Sequence, residues 1–575
     1  MKRCGRWPIR GWLEEAKEME ARAQSVVKFL PSLADFAFLL PIAFLFGRMN
    51  GVKTLLGDCD TGWHIRTGEW IIANGWVPVR DIFSFSKPGE PWYAWEWLSD
   101  VLFAKLNALG GLQAVAIFAI LMLSVTFGAL FLLVRRKANP IVAVLVTMVA
   151  TAAASIHWLA RPHLFTLLFM VLFYAALELV DEGRTRLAGV PILAALPVIT
   201  ILWTNLHGGF FVGTLMIMAY GGGETLRLIF CPNDEDRRPA WLKARSYYLS
   251  GLACIAVSLI NPYTYHLHVH MAQYLRDPWN SEHIREFLSP SFHHPTAIFF
   301  EAMLVLAVAT AVRNLRQGRF TEALLIVVWA HGGLLASRNI PIFAIAAAPP
   351  VAAAIQQWLL HVPEMNVAGW LRTAAGRFNK VAQETGETDA IRRLHLVSVL
   401  GLLLVAAVVC APHPPKKFRA EFDPDVYPAA ALATLRRDPA GRIFTHDEWG
   451  DYLIYSLYPG HKVFVDGRSD FYGDDFEEKY VDVLNVKYGW EKILSGFGVD
   501  TILLPPSSPL SGALKESSRW RVVYDDGIAL VFRSAERTAG VQVSAANRGG
   551  GEGRDREVTK TLTRDLAITE TKPKT

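Results

Sequence analysis

Eleven long apolar runs separated by mostly short polar connections leave this chain little choice but a bundle of membrane-spanning helices. The runs lie at about 32–49, 111–134, 139–156, 163–180, 189–203, 210–230, 246–260, 297–312, 321–336, 340–360 and 394–412. In hydrocarbon every backbone N–H and C=O must be satisfied within the protein, which a helix achieves alone and an irregular segment does not. Hydrophobic residues make up 52% of the chain and charged residues 19%, too apolar a balance for a soluble protein of 575 residues. Several runs fall short of the usual span of about twenty residues, so tilted or broken helices beside a polar cavity are expected.

Basic residues orient the bundle. Segment 1–31 and connections 135–137, 181–188, 231–246, 313–320 and 361–393 hold 24 Lys and Arg in 99 residues. The alternate connections 51–96, 156–162, 204–209, 261–296 and 337–339 hold 8 in 98. The positive-inside rule makes the first set cytoplasmic and puts everything beyond about residue 412 outside a bacterial-type cytoplasmic membrane. Segment 1–31 is basic, and the first apolar run lacks a small-residue cleavage site, so it reads as a retained anchor rather than a removed signal peptide. The net charge of +5 arises mostly in the cytoplasmic loops and does not imply nucleic acid. Five cysteines, Cys4, Cys59, Cys231, Cys254 and Cys410, form neither a CxxC pair nor a metal spacing.

After the last run short β-rich stretches such as RIFTHD, KVFVDGR, DTILLPP and WRVVYDDGIALVFR alternate with helical ones. The expected fold is therefore mainly α: a polytopic bundle of about eleven spans over 32–412, with a small extracytoplasmic α/β domain over 413–534. Residues 535–575, rich in Gly, Thr, Lys and Glu and nearly free of aromatics, read as a disordered tail.

The first outer loop, 51–96, opens with Asp58, Asp60 and His64 in the string DCDTGWHIRTGEW. Trp63, Trp70 and Ile71 recur at helical spacing, which predicts a helix lying on the membrane surface with Asp60 as its N-cap and His64 one turn on. Gly68, a further turn along, leaves room for a ligand. Other polar residues gather at the ends of runs on the same side: His157, Arg161 and His163, then Asn205 and His207. Asn261, His266, His331, Arg338 and Asn339 extend the set. His157 with Arg161, and His331 with Arg338, share a helix face if the helix continues through them. A buried ionisable group at membrane depth costs a few kcal/mol unless paired or hydrated, so one shared outward cavity accounts for the set. Taken singly, each residue also has a structural reading. Asp60 can serve as a cap, His207 can bond a helix end beside Gly208 and Gly209, and Arg161 and Arg338 can snorkel to the interface.

These residues resemble those of the GT-C glycosyltransferases, multi-span enzymes that use lipid-phosphate-linked sugars. Members include lipid A aminoarabinose transferases, protein O-mannosyltransferases and oligosaccharyltransferases. In many of them an acidic residue just past the first span is followed by a glycine ending a surface helix; here Asp60 and Gly75 match, with Pro78 close behind. The strings DCDTGWHIRTGEW, EWLSDVLF, ARPHLF, NLHGGFF, RNIPIF and VFVDGRSDFYG look like those of a large group of bacterial membrane proteins assigned to this superfamily. This chain has Asp60-Thr61 where the aminoarabinose and mannosyl enzymes typically have Asp-Glu, and it lacks a WWD-type signature.

The resemblance implies a transferase taking a polyprenyl-phosphate-sugar donor and a lipid, glycan or protein acceptor at the outer face, with Asp60, and Asp58 beside it, as the catalytic carboxylates. A carboxylate accepts the proton of the attacking acceptor, typically worth about a hundred- to ten-thousand-fold. Arg161 and Arg338 suit the leaving phosphate because a guanidinium forks onto its oxygens. His64, His163, Asn205, His207, His331 and Asn339 are candidate substrate contacts. Asp58, Asp60 and His64 together also offer donors for a divalent ion such as Mg or Mn, for which an Asp-x-Asp pair alone is weak evidence. A polytopic transporter or flippase of a lipid-linked substrate, or a non-catalytic subunit of the same fold, would use the same cavity differently.

Overall fold

A computed structural model of the chain describes residues 27–230, 234–293, 295–437 and 441–535, and all eleven apolar runs in it are helical. Most of segment 1–31, and all but the first residue of the expected disordered tail, lie outside the described residues. The chain divides into two compact units. One comprises Met1–Asp81 and Glu90–Asp423, the other Ile82–Gly89 and Pro424–Thr575.

The principal helices of the first unit begin with α1 (Leu33–Gly47), α2 (Asp60–Asn74), α3 (Trp97–Arg135), α4 (Pro140–Ala154) and α5 (His163–Asp181). There follow α6 (Ile192–Leu206), α7 (Phe211–Phe230), α8 (Asp234–Val257), α9 (Tyr265–Tyr274) and α10 (Pro278–His283). The last are α11 (Ala297–Arg316), α12 (Phe320–Leu335), α13 (Ile340–His361), α14 (Gly369–Asp389) and α15 (Leu396–Val409). Among the described residues five stretches are long and apolar enough to cross a membrane: α3, α4 with its extension to His157, α5, α11, and α13 with its flanking turns. Helices α1, α6, α12 and α15 are apolar but shorter, so length and composition alone establish fewer crossings than the eleven expected.

Local chemistry explains where these helices start and stop. Ser32 and Asp35 form a capping box at the start of α1, each side chain accepting the other's backbone N–H. Gly110 and Gly111 interrupt α3, and Gly111 takes a φ of +63°, which glycine adopts without the penalty a Cβ imposes. The interruption separates an initial stretch, 97–109, from the apolar run proper. Gly75 ends α2 in the left-handed region at φ 80°, its N–H donating to the Ile71 carbonyl.

The surface helix is not laid on lipid in the way its pattern suggests. Trp63 and Ile71 are 8% and 7% exposed and pack inside the protein, while Ile72 and Trp76 are the exposed apolar groups at its far end. Burying side chains of this size contributes about 1.5–3 kcal/mol each; α3 packs along the helix, and Trp92 meets Trp63 edge-on with ring centroids 6.3 Å apart. Gly68 serves the same contact: an added Cβ would lie 1.9 Å from the Asp100 carbonyl oxygen. The space expected to admit a ligand is filled by the backbone of α3. Helix α13 is buried from Ile340 to Ala353, a stretch rich in alanine whose small side chains let neighbouring helices approach closely.

The second unit is built on a four-stranded sheet. Its strands are β1 (Ile443–Thr445), β2 (Thr501–Leu504), β3 (Trp520–Asp525) and β4 (Leu530–Ser534), in the order β1-β2-β4-β3. β1 and β2 are parallel, and the other pairs antiparallel. Beyond β1, Val463 bridges Ile443 on one side and Ser84 on the other, both in parallel sense. The Phe85 N–H donates to the Val463 carbonyl and the Val463 N–H to that of Phe83, each at 3.0 Å. Part of the first loop thus extends the sheet of a domain more than three hundred residues away. The VFVDGRSDFYG string serves this core: Arg468 donates from Nε and Nη2 to the two Asp466 oxygens at 2.6 and 2.7 Å, with its guanidinium over Phe83 and Phe471.

Candidate active site

The carboxylates of the first loop meet a guanidinium. Asp58 Oδ1 accepts from the Asp60 N–H at 2.9 Å, so Asp58 supports the first turn of α2, and Asp60 is the first helical residue after an N-cap at Cys59. Arg161 Nη1 donates to Asp58 Oδ2 at 2.9 Å, and Arg161 Nη2 lies 2.8 Å from Asp60 Oδ2. Arg161 sits in the link between α4 and α5, where Trp158 leaves the helical region at φ −105° and ψ 99°. The link is anchored by its neighbour: the Ala160 N–H donates to the Leu55 carbonyl at 2.7 Å, and the Ala160 carbonyl accepts from Thr61 Oγ1 at 3.0 Å. The arginine is thus delivered to the carboxylates by one backbone bond before them and one Thr61 hydroxyl bond after them. It does not snorkel.

A third carboxylate, Glu286, joins from the link after α10. Its Oε2 accepts from Arg161 Nη1 at 3.3 Å and lies 3.6 Å from His157 Nε2, while its Oε1 lies 3.0 Å from Arg338 Nη1. Arg338 in turn donates to the Tyr274 hydroxyl at 3.4 Å and stacks over Phe287 with 4.6 Å to the ring centroid. Its backbone N–H donates to the Glu286 carbonyl at 3.1 Å. Two guanidiniums therefore face three carboxylates. Burial alone would lower the Arg161 pKa, but Asp60, Asp58 and Glu286 outweigh it and keep the group charged. Burial likewise pushes Glu286 upward, yet Arg338 and Arg161 hold its carboxyl below the usual carboxylate range.

Beside this network runs a second chain of polar groups. His64 Nδ1 is 2.6 Å from Asp100 Oδ1, His64 Nε2 is 3.5 Å from Glu96 Oε2, and Glu96 Oε1 is 3.2 Å from His207 Nε2. The Gly209 N–H donates to His207 Nδ1 at 2.9 Å, so that nitrogen accepts and Nε2 carries the proton toward Glu96. Thr166 Oγ1 lies 2.7 Å from His207 Nδ1 and accepts from Trp203 Nε1 at 2.9 Å. Burial, reinforced by Arg338 and Arg161, pushes His207 down to about 3, and burial with Arg161 and His207 holds His64 well below its ordinary value. Both imidazoles are neutral at physiological pH.

The structure does not gather all the predicted residues. His157 and Arg161 converge on Glu286, although the helix has ended between them. His331 and Arg338 do not share a helix face: α12 stops at Leu335, Ala336 is extended at φ −144°, and His331 is exposed. Asn339 donates to the Gly332 carbonyl across that break at 3.1 Å. Asn205 accepts from Trp97 Nε1 and donates to the carbonyls of Ile201 and Ile260, and His163 Nε2 is 3.3 Å from the His157 carbonyl, with the two rings 4.8 Å apart. Asn205 and Asn339 hold backbone, not the charged network.

The divalent-ion set does not assemble either. Asp58 and Asp60 both turn to Arg161, while His64 turns to Asp100 and Glu96. Among the described residues no group of three or more His, Cys, Asp or Glu is arranged to hold a metal. Glu96, Asp100, Thr166, Tyr274 and Glu286 were not singled out from sequence. The signal for Glu96 and Asp100 is their spacing in EWLSD, which puts Glu96 at the N-cap of α3 and Asp100 one turn further along.

Architecture and site together describe a helical bundle, long enough in five places among the described residues to cross a membrane, with an ionic cluster at the end bearing the base-poor connections. Solved structures that share this fold include those of the Archaeoglobus fulgidus oligosaccharyltransferase. One, tethered by a disulfide bond to an acceptor peptide containing the NVT sequon, matches with a TM-score of 0.51 at 11% identity, covering 82% of this chain and 68% of that one. The apo form matches at 0.50 and 12%, covering 82% and 69%. No protein-family model and no curated sequence matches the chain.

Proposed function

We propose that the chain is an integral-membrane glycosyltransferase that transfers a sugar from a polyprenyl-phosphate-linked donor to an acceptor on the outer face of the cytoplasmic membrane. The observation that carries this reading is the junction of Asp58 and Asp60 with Arg161, and of Arg161 with Arg338 through Glu286. It brings carboxylates able to take a proton beside guanidiniums able to take a phosphate, in a fold shared with an oligosaccharyltransferase. The acceptor, a hydroxyl or amide of a lipid, glycan or protein, attacks the anomeric carbon, and Asp60 accepts its proton. The bond from that carbon to the phosphate oxygen breaks, the electron pair stays on the phosphate, and Arg161 and Arg338 balance the charge. As the phosphate engages Arg161, the arginine's hold on Asp60 loosens, which raises the basicity of Asp60 when the base is needed.

One observation favours a second reading. The alternating array Asp100, His64, Glu96 and His207 has the composition of a proton relay, which a proton-coupled transporter or flippase would use. The two readings separate on purified protein in nanodiscs supplied with a polyprenyl-phosphate sugar. Asp60→Asn keeps the volume and the Arg161 contact but removes the base, so glycosylated product should be lost while the protein stays folded. Normal turnover in this variant would refute the catalytic assignment. Lipid-linked substrate moved across the bilayer without product would favour the transporter.

A further inference from the structure

Glu286 is held as an anionic ligand would be. Its two oxygens divide between Arg338 Nη1 at 3.0 Å and Arg161 Nη1 at 3.3 Å, with His157 Nε2 at 3.6 Å and the Tyr274 hydroxyl on the same arginine. A phosphate presents the same kind of acceptor oxygens to a pair of guanidiniums and adds a further one. We propose that the Glu286 carboxylate occupies the seat of a phosphate, and that the phosphate of a lipid-linked donor binds by displacing it from between Arg161 and Arg338. This rests on the reading of the cluster as a donor site.

The surrounding geometry permits the exchange without moving the bundle. The link carrying Glu286 is fixed by its backbone: its carbonyl accepts from the Arg338 N–H, and the Leu288 carbonyl accepts from the Ser337 N–H at 3.0 Å. The Glu286 side chain is 18% exposed, and its sequence neighbour Arg285 is exposed. A change of side-chain rotamer therefore takes the carboxylate toward water while both arginines stay in place. In the absence of donor Glu286 also supplies the buried Arg338 guanidinium with a counter-charge, the loss of which is costly. The same carboxylate makes the seat selective, since a neutral lipid headgroup offers nothing with which to replace it.

The test is binding of polyprenyl monophosphate, polyprenol and inorganic phosphate to the full chain in nanodiscs. Glu286→Gln should tighten polyprenyl phosphate about tenfold and leave polyprenol unchanged, and Glu286→Asp should fall between wild type and Glu286→Gln. Inorganic phosphate should compete at lower concentration in Glu286→Gln than in wild type. Unchanged or weaker lipid-phosphate binding in Glu286→Gln overturns the proposal, as does an equal gain for polyprenol. Inorganic phosphate binding as tightly as the lipid would overturn the lipid-linked source. Arg338→Ala separates the two levels: if it leaves polyprenyl-phosphate binding unchanged, the donor-site reading itself fails, whatever Glu286 does. Should Glu286→Gln fold poorly, Glu286→Asp carries the comparison, and lipid-phosphate binding no tighter than wild type in that variant then overturns the proposal.

Discussion

Removing Arg161 should expose what it neutralises. In Arg161→Gln the oxygens of Asp58, Asp60 and Glu286, now 2.9, 2.8 and 3.3 Å from its guanidinium, would face one another without it, Arg338 remaining beside Glu286. A single contact between charges about 4 Å apart is worth about 4 kcal/mol at an effective dielectric of about 20, before desolvation is subtracted. Deleting one partner of a buried pair costs about 3–5 kcal/mol, and the Arg161 side chain is 21% exposed, which places the net loss near the low end, about 3 kcal/mol. For a unit of this size that lowers the apparent melting temperature by roughly 3–4 °C. The three vacated carboxylates then become an oxygen cage for a divalent cation. Mn²⁺ at a hundred times its dissociation constant would return about 2.7 kcal/mol. The assay is thermal unfolding in detergent, with chelator and with Mn²⁺, for wild type, Arg161→Gln and Arg161→Gln with Glu286→Gln. Wild type should ignore both additions, the single variant should recover with Mn²⁺, and the double variant should regain part of its stability without metal. A single variant as stable as wild type and indifferent to Mn²⁺ would refute the argument.

The buried imidazoles set an acid limit. His207 has its ordinary value of 6.5 when unfolded and about 3 when folded, so below 6.5 the unfolded chain binds the extra proton and stability falls as the pH falls. At pH 5 this amounts to about 2 kcal/mol for His207, and the slope of melting temperature against pH between 6.5 and 4.5 should be shallower in His207→Gln; an unchanged slope would show that His207 does not titrate in this way. Gly68→Ala would drive a methyl to 1.9 Å from the Asp100 carbonyl oxygen, forcing α2 and α3 apart at a cost of about 1–3 kcal/mol and stretching the His64 contact with Asp100. Equal melting temperatures for this variant and wild type would show that the two helices are not held at backbone contact.

Hydropathy was enough to locate helices, because a chain in lipid has one way to satisfy its backbone, and each of the eleven runs is helical. Short-range chemistry was legible too: Gly75 closes the surface helix, and Asp58 and Asp60 flank its start. What periodicity could not decide was which neighbour an apolar stripe meets. Trp63 and Ile71 have the spacing of a membrane-facing surface, yet they pack within the protein, because lipid and a buried protein surface are equally apolar to a hydrophobic side chain. The charged network lay further out of reach. Arg161 stands about a hundred residues from Asp60, and Glu286 more than a hundred beyond Arg161. Each carries a full charge whose partner depends on where three separate links come together, and no local pattern encodes that meeting. The same holds for residues 82–89, which read as loop and become the edge of a distant sheet, because a backbone donor takes whichever strand the fold brings alongside it.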